Sequence, residues 1–466
     1  MTRVRVSLEI PDSLVKISRW ALESLLFPLG VRPAWVERGA ASADICYGAE
    51  SGGTRASITL PCAPQAADVH GRRLAVDASS VEWRDFEGDR SPVFFQDALG
   101  RPDLVAGTWF LLSGWQEITS RSRDEKGRFR FSDSLQAKLS FAGLPVVDAY
   151  REEVARTLER AGFRLHRRTW GNHEWTMCPT VDVDYLRKWR KGMVYREVVE
   201  NLLLNRRDDS GSGRLRRART FAADFLRPGD VYRESLVRMV AGIRSAGGTG
   251  TVFLKSGAHG PHDVAYSLNG RFVRRFVSEA LESGFEVGLH PSYHASTHGG
   301  YMNTEAELLR RAVGTRVRSV RQHYLRYEHP ITLRLQSDAG FEIDSTLGFA
   351  EHEGFRRGTC VPFRIFDVYA DRTTSLWEMP LAVMDGALFN RRMLSPSEAV
   401  NATIRVMETC RRFRGSAVIL WHSILWDDID APGWHTHFHE TLASARDGNA
   451  LMASLSSALD AWRGSP

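Results

Sequence analysis

The stretch Phe285-Glu-Val-Gly-Leu-His-Pro-Ser-Tyr-His294 decides how this chain is read. Apolar residues alternate at Phe285, Val287 and Leu289, as in a strand with one buried face. His290, Pro291 and His294 follow directly. Proline suits the first turn of a helix, where its missing N–H would be unpaired anyway. Residues four apart on a helical turn share a face. The spacing therefore predicts two imidazoles converging just past a strand end. Such a pair becomes a catalytic metal site once a carboxylate or a third nitrogen joins it. Two surface histidines in a loop are the competing reading, because His-x-x-x-His is common by chance.

Outward from this stretch, short β-like runs alternate with helical ones. The strand-like segments are 175–183, 250–254, 285–289, 318–322, 341–346, 375–383 and 417–421. Strands alternating with helices predict parallel β-α-β units. About seven of them predict a distorted (β/α) barrel over residues 166–466, with its chemistry at the C-terminal ends of the strands. Residues 1–165 read as a separate mixed α/β domain. It has strand patterns at 3–10, 43–47, 56–60 and 91–95, helices at 12–27, 105–118 and 147–162, and a polar loop at 120–132. Nothing in it proposes a reaction, and a structural or substrate-gripping role is expected.

The 466 residues, 43% hydrophobic and 25% charged, are ordinary for a globular protein with room for a large core. No run of 18 apolar residues is present, and the N-terminal segment does not read as a secretory leader, so a cytoplasmic location is expected. The five cysteines, Cys46, Cys62, Cys178, Cys360 and Cys410, are odd in number and widely spaced, which argues against a disulfide framework or a zinc ribbon. The net charge of +6 is concentrated at 187–191 and 206–219. Such runs suit an acidic polysaccharide, a nucleotide-linked sugar or peripheral contact with an anionic membrane, although a solvated face is commoner. A linker-like loop is expected at 208–213. No nucleic-acid recognition motif accompanies the charge, and no nucleic-acid partner is expected.

The other strand ends carry chemistry as well. Segment 175–183 delivers Asp182 and Asp184, which are two apart, so both side chains leave an extended chain on one side. A buried carboxylate pair needs a cation or a shared proton, whereas a solvated pair at an exposed strand end needs neither. Segment 318–322 ends in Arg321 and His323. Segment 417–421 places His422 directly past five apolar residues. Each alone reads as structural; a barrel would bring all these ends together.

Taken in order, Thr180-x-Asp182-x-Asp184, His290-x-x-x-His294, Arg321-x-x-Tyr324, Gly340-Phe341-x-x-Asp344 and the apolar run ending in His422 resemble the polysaccharide deacetylases of carbohydrate esterase family 4. The resemblance covers roughly residues 170–425. Stretches 97–118 and 127–148 further resemble an extra N-terminal domain of unknown role found in a bacterial subgroup. The resemblance implies Asp182 as general base, Asp184, His290 and His294 as metal ligands, Arg321 as the residue holding the base, and His422 as general acid. Asp344 takes the position of a residue supporting the acid side. The implied cofactor is a divalent metal, Zn2+ ahead of Co2+, Ni2+ or Mn2+. The implied reaction hydrolyses an N-acetyl group on an amino sugar in a polysaccharide or glycan precursor, releasing acetate and a free amine. A lipid- or nucleotide-linked precursor would suit a cytoplasmic enzyme.

Two departures bear on the substrate. Val183 separates aspartates that the family usually places side by side, and His323 stands where the family has proline. His323, Tyr324, Asp344 and Trp426 are therefore candidate substrate contacts, with His323 alternatively an additional acid. An amidohydrolase acting on a small amide and a non-catalytic polysaccharide-binding protein are the competing functions. Base, ligands and acid all occur together, which argues against the latter. His435, His437 and His439 are read as the start of a surface helix rather than a second metal site.

Overall fold

The computed structural model describes residues 1–48, 55–204, 211–226 and 229–465. Four parallel strands open the chain: β1 (Thr2–Glu9), β2 (Val31–Trp35), β3 (Ser42–Gly48) and β4 (Arg55–Leu60), in the order β2-β1-β3-β4. The helix Val15–Leu26 packs its apolar face, including Ile17, Trp20, Leu22 and Leu25, against the helix Leu104–Leu112, which is buried along its whole length. A hairpin of β5 (Glu82–Phe86) and β6 (Asp89–Val93) and the helix Val146–Arg160 complete this part.

The second sheet holds β7 (Thr176–Val183), β8 (Thr251–Leu254), β9 (Glu286–Leu289), β10 (Ser319–Val320), β11 (Ile343–Asp344), β12 (Phe363–Asp367), β13 (Arg372–Glu378), β14 (Leu381–Met384), β15 (Ser416–His422) and β16 (Leu451–Met452). Its path is β12-β13-β11-β10-β9-β8-β7-β15-β14, with β16 also on β7. All neighbours are parallel except β12, which forms an antiparallel hairpin with β13. This is the mixed α/β architecture expected, a curled half-barrel of mostly parallel strands. It departs from a closed barrel: among the described residues no ladder joins the two ends of the path. The chain itself runs from β13, next to one end of the path, to β14 at the other through Met379 and Pro380. The single strand expected at 375–383 is thus two strands with different neighbours, and β12 carried no periodic signal that marked it.

Every residue of β7 is buried, as a strand covered on both faces requires. Pro179 nevertheless lies within it. The carbonyls of Trp175 and Met177 face β16, so alternation turns the Pro179 nitrogen to that same edge. There it falls between the residues paired with β16 (Thr176, Met177) and those paired with β8 (Thr180 to Val183). No ladder hydrogen bond is lost.

The basic segments are partly structural. Lys188 is buried and paired with Asp427 (2.6 Å) and Asp224 (3.2 Å), while Arg217 pairs with Glu197 and Asp430. The solvated-face reading is corrected for these two cations. Of the expected linker, residues 211–213 open the helix Gly211–Leu226, whereas 205–210, with the start of the second basic run, lie outside the described residues.

Polar contacts lock the N-terminal part to the half-barrel. Glu117, 2% exposed, receives a two-pronged bond from Arg356 (2.8 and 2.7 Å), with Arg357 also close (3.3 Å). Burial alone would raise the Glu117 carboxyl; the two guanidiniums outweigh it and hold it well below the usual range. Gly114, at φ +71°, leaves room for Arg357 that any Cβ would fill. Asp148 accepts from Thr359 Oγ1 and Cys360 N, both at 2.7 Å. Removing one partner from a buried ion pair typically costs about 3–5 kcal/mol, because the other charge stays buried and uncompensated. Glu117→Ala is expected to lose stability on that scale in urea unfolding followed by fluorescence; a loss near zero would mean that this cluster does not hold the two parts together.

Candidate metal centre

The C-terminal ends of β7, β9, β10, β14 and β15 converge on a cavity of about 390 Å³. Asp182, Asp184, His290, Gln322, His323, Tyr324 and His422 all line it. Among the described residues, one side-chain group has metal-ligand spacing: Asp184, His290 and His323, whose ligand atoms lie within 4.8 Å of one another. Asp184 Oδ1 stands 3.3 Å from His290 Nε2 and 3.4 Å from His323 Nε2.

The donor set fits a divalent cation. Asp184 Oδ1 is buried and lacks a hydrogen-bond partner, an arrangement that is costly unless something else meets it. His290 Nδ1 lies 2.7 Å from the Arg321 carbonyl, and His323 Nδ1 lies 2.7 Å from Asp263 Oδ1. Each contact fixes the tautomer that leaves Nε2 with a free lone pair, as in metal-bound histidines generally. Asp263 is itself gripped by Lys255 Nζ (3.1 Å) and the Tyr293 amide (2.9 Å). Burial would raise Asp263, but His323, the Tyr293 amide and Lys255 prevail and hold it at about 2. Burial depresses His323, which favours the neutral imidazole a metal needs. For Asp184 burial again pushes upward, yet the imidazoles of His290, His323 and His422 keep it well below the carboxylate range.

His294, expected as the third ligand, does not join the group. It is exposed and packs edge-on against Tyr293. The reason is local. The expected helical turn from Pro291 does not form; Ser292 is extended (φ −63°, ψ 163°), and the turn Tyr293–Ser296 is 3₁₀. Glu305 holds Ser292 N (2.8 Å) and Oγ, while Asp263 holds Tyr293 N. His290 therefore lies outside the turn that carries His294, and the i, i+4 face argument has no helix to act on. His323 comes from the next strand end instead, where Tyr324 and Leu325 both adopt left-handed φ values of 59° and 54°. Strain of this kind in non-glycine residues concentrates at functional sites.

Asp182 and Arg321 are brought together, with Arg321 Nη1 3.2 Å from Asp182 Oδ1. Asp182 Oδ2 lies 3.8 Å from His290 Nδ1, and His422 Nε2 lies 3.9 Å from Asp184 Oδ2. His422 has a partner the sequence reading missed: Asp385 accepts from its backbone N–H (2.6 Å) and contacts its Nδ1 (2.6 Å). Burial alone would lower the His422 imidazolium, but Asp385, with Asp184 and Asp182, outweighs it and pushes it up to about 10. Asp385 directly follows β14, so the strand-end rule that flagged the others also marks it. Asp263, in the loop after β8, carried no such signal.

Two expected contacts are corrected. Asp344 is fully buried and absent from the cavity wall; Thr346 Oγ1 and Gln336 Nε2 donate to it, and it faces Glu378. Burial raises both carboxyls, Asp344 to about 6, and it is Asp385 rather than Asp344 that contacts His422. Trp426 packs among His435, Phe438 and His439 rather than into the cavity. His437 is buried, 2.9 Å from Thr403 Oγ1 and 3.2 Å from Trp421 Nε1. Gln322, which the sequence reading left without a role, is fully buried, lines the cavity, and has no hydrogen-bond partner at either amide atom.

Residues 42–162 match a protein family described only as one of unknown function, DUF7033. No curated protein sequence matches the chain significantly. Solved structures similar to this chain include a candidate polysaccharide deacetylase from Mycobacterium smegmatis, at 15% identity and TM-score 0.40, covering 64% of this chain and 93% of that one. A family 4 carbohydrate esterase from Streptomyces lividans, in complex with acetate, matches at 11% identity and TM-score 0.32, covering 62% and 95%. A family 4 pseudoenzyme from Bacillus anthracis matches at 11% and 0.32, covering 63% and 68%. Among the described residues no helix is long and apolar enough to cross a membrane.

His323→Ala is expected to abolish binding of one divalent ion per chain, and His294→Ala to leave it intact, as read by metal analysis after dialysis. Asp263→Asn is expected to weaken metal affinity about 10- to 100-fold, the usual cost of losing the partner that orients a ligating histidine. Metal loss in His294→Ala together with retention in His323→Ala would reverse the ligand assignment.

Proposed function

We propose that this protein is a metal-dependent hydrolase that removes an N-acetyl group from an amino sugar. One observation carries the reading: a base and an acid, each with its own orienting partner, both lie within 4 Å of the three-ligand cluster. When bound, a divalent cation held by Asp184, His290 and His323 would supply Lewis acidity toward a carbonyl oxygen and toward water. The chain supplies the proton handling. Asp182, held by Arg321, accepts a proton from the attacking water. His422, aligned through Asp385, donates a proton to the departing amine, which is otherwise a poor leaving group. Proton transfers of this type typically contribute about 10²–10⁴-fold each. Gln322 offers a carboxamide donor and acceptor to the acetamido group or a ring hydroxyl.

The cavity of about 390 Å³ is at the lower end of small-molecule sites, roughly 300–1,000 Å³. That favours one or two sugar units, as in a glycan precursor, over a long polymer bed. Zinc suits two imidazoles and a carboxylate, as do cobalt, nickel and manganese.

Acetate release from N-acetylhexosamines, measured beside small linear and cyclic amides, tests the reading. Asp182→Asn is expected to keep the metal and lose turnover, and Asp385→Asn to keep the metal and lower kcat by about 10²-fold or more. Hydrolysis of the small amides alone would reassign the substrate. Failure of zinc, cobalt and manganese to bind or activate the protein would overturn the mechanism.

A further inference from the structure

The cavity wall includes two residues of the N-terminal part, Lys126 and Arg128, delivered by the polar loop that the sequence marks at 120–132. The loop is firmly held at this point. Asp124 accepts from the amides of Lys126 (2.9 Å) and Arg128 (2.8 Å) and pairs with the Arg128 guanidinium (2.7 Å). Arg128, buried, donates to the Tyr324 carbonyl (3.0 Å), so the loop is fastened to the strained turn carrying His323. Lys126 Nζ rests 2.8 Å from His262 Nε2 and 5.2 Å from the Tyr324 ring centroid. It forms no ion pair among the described residues. Arg391, exposed and following the helix Asp385–Asn390, reaches the same cavity, and its guanidinium likewise has no hydrogen-bond or ion-pair partner among the described residues. Among the described residues, the only carboxylates lining the cavity are Asp182 and Asp184, the candidate base and the candidate metal ligand.

We propose that Lys126 and Arg391 form an anion subsite, and that the substrate is an acetylated saccharide bearing a negative group, a phosphate or a carboxylate, near the acetamido ring. This rests on the deacetylase reading and narrows its substrate. Arg128 is spent on Asp124 and Tyr324, whereas Lys126 and Arg391 carry charge that the protein leaves uncompensated at the cavity. A long flexible lysine costs entropy to hold in place. Here the backbone is pinned on both sides of it, so a ligand anion meets a cation already positioned. The N-terminal part thereby becomes one wall of the substrate site.

Binding read separately from turnover tests this. Titration calorimetry on the metal-loaded full chain compares N-acetylglucosamine, N-acetylglucosamine 1-phosphate and N-acetylglucosaminuronate. At least one charged sugar is expected to bind about tenfold or more tighter than the neutral one, the scale of a hydrogen bond to a charged group. Preference for the phosphate identifies a phosphate-linked precursor, and preference for the uronate a carboxylated glycan. Lys126→Gln and Arg391→Gln, each with an unchanged circular dichroism spectrum, are expected to reduce that preference severalfold and the double variant to abolish it. Equal binding of all three sugars overturns the subsite. So does a preference that survives the double variant, since the anion would then be sitting on the metal. Preferred binding without acetate release would uphold the subsite while refuting the reaction.

Discussion

A guanidinium sealed inside a sheet is tolerable only when its donors are met, and Arg321 meets its own by tying three strands together. It donates to the Ser345 carbonyl (2.8 Å) and hydroxyl (2.9 Å) beyond β11, to Thr180 Oγ1 (2.6 Å) on β7, and to Asp182 (3.2 Å). Its own carbonyl fixes the His290 ring. One residue therefore ties β7 to the ends of β10 and β11, holds Asp182, and fixes the His290 tautomer. Replacing a buried charge on this scale would disturb fold and site together, which is why the two are difficult to separate in this protein.

The candidate metal centre follows from that constraint. With His290 oriented by β10, a third ligand can come either from the turn after β9 or from the next strand end. The turn after β9 is already committed: Glu305 and Asp263 hold its first two amides, and the Arg326 guanidinium lies 3.9 Å from the Tyr293 ring centroid. His294 is left facing solvent. His323 has Asp263 waiting at Nδ1, and Asp263 has Lys255 behind it. The same carboxylate thus pulls the β9 turn away from α-helical geometry and positions the histidine that takes the place of His294.

Much of this was legible in the sequence where chemistry is coupled to strand periodicity. Asp182, Asp184, His290, Arg321 and His422 stand at the ends of apolar runs, and a curled parallel sheet gathers such ends whether or not it closes. The departure at His323, where the resembling family has proline, was visible as an anomaly. Its meaning was not, because the His-x-x-x-His spacing had already filled the third position. Spacing arguments assume a helix, and they fail when side chains elsewhere dictate the turn. Asp344 and Asp385 show a related limit. Both end strands, but only contacts made across the fold distinguish the carboxyl buried beside Glu378 from the one that grips His422.

The N-terminal part offered no chemistry to the sequence reading because its contribution depends on where the fold places it. Glu117 pairs with Arg356 and Arg357 of the half-barrel, and Asp148, paired with Arg151 on its own helix, accepts hydrogen bonds from Thr359 and Cys360 across the junction. One apolar core runs through both parts beside these contacts, which opposes the relative motion that loosely joined domains show. That rigidity is what allows a surface loop to act as a cavity wall. With Arg128 bonded to the Tyr324 carbonyl, any displacement of the loop would be felt at the turn that aims His323. The sheet carries the candidate metal and proton-handling residues; the N-terminal part, held by its buried polar contacts, borders the cavity they line.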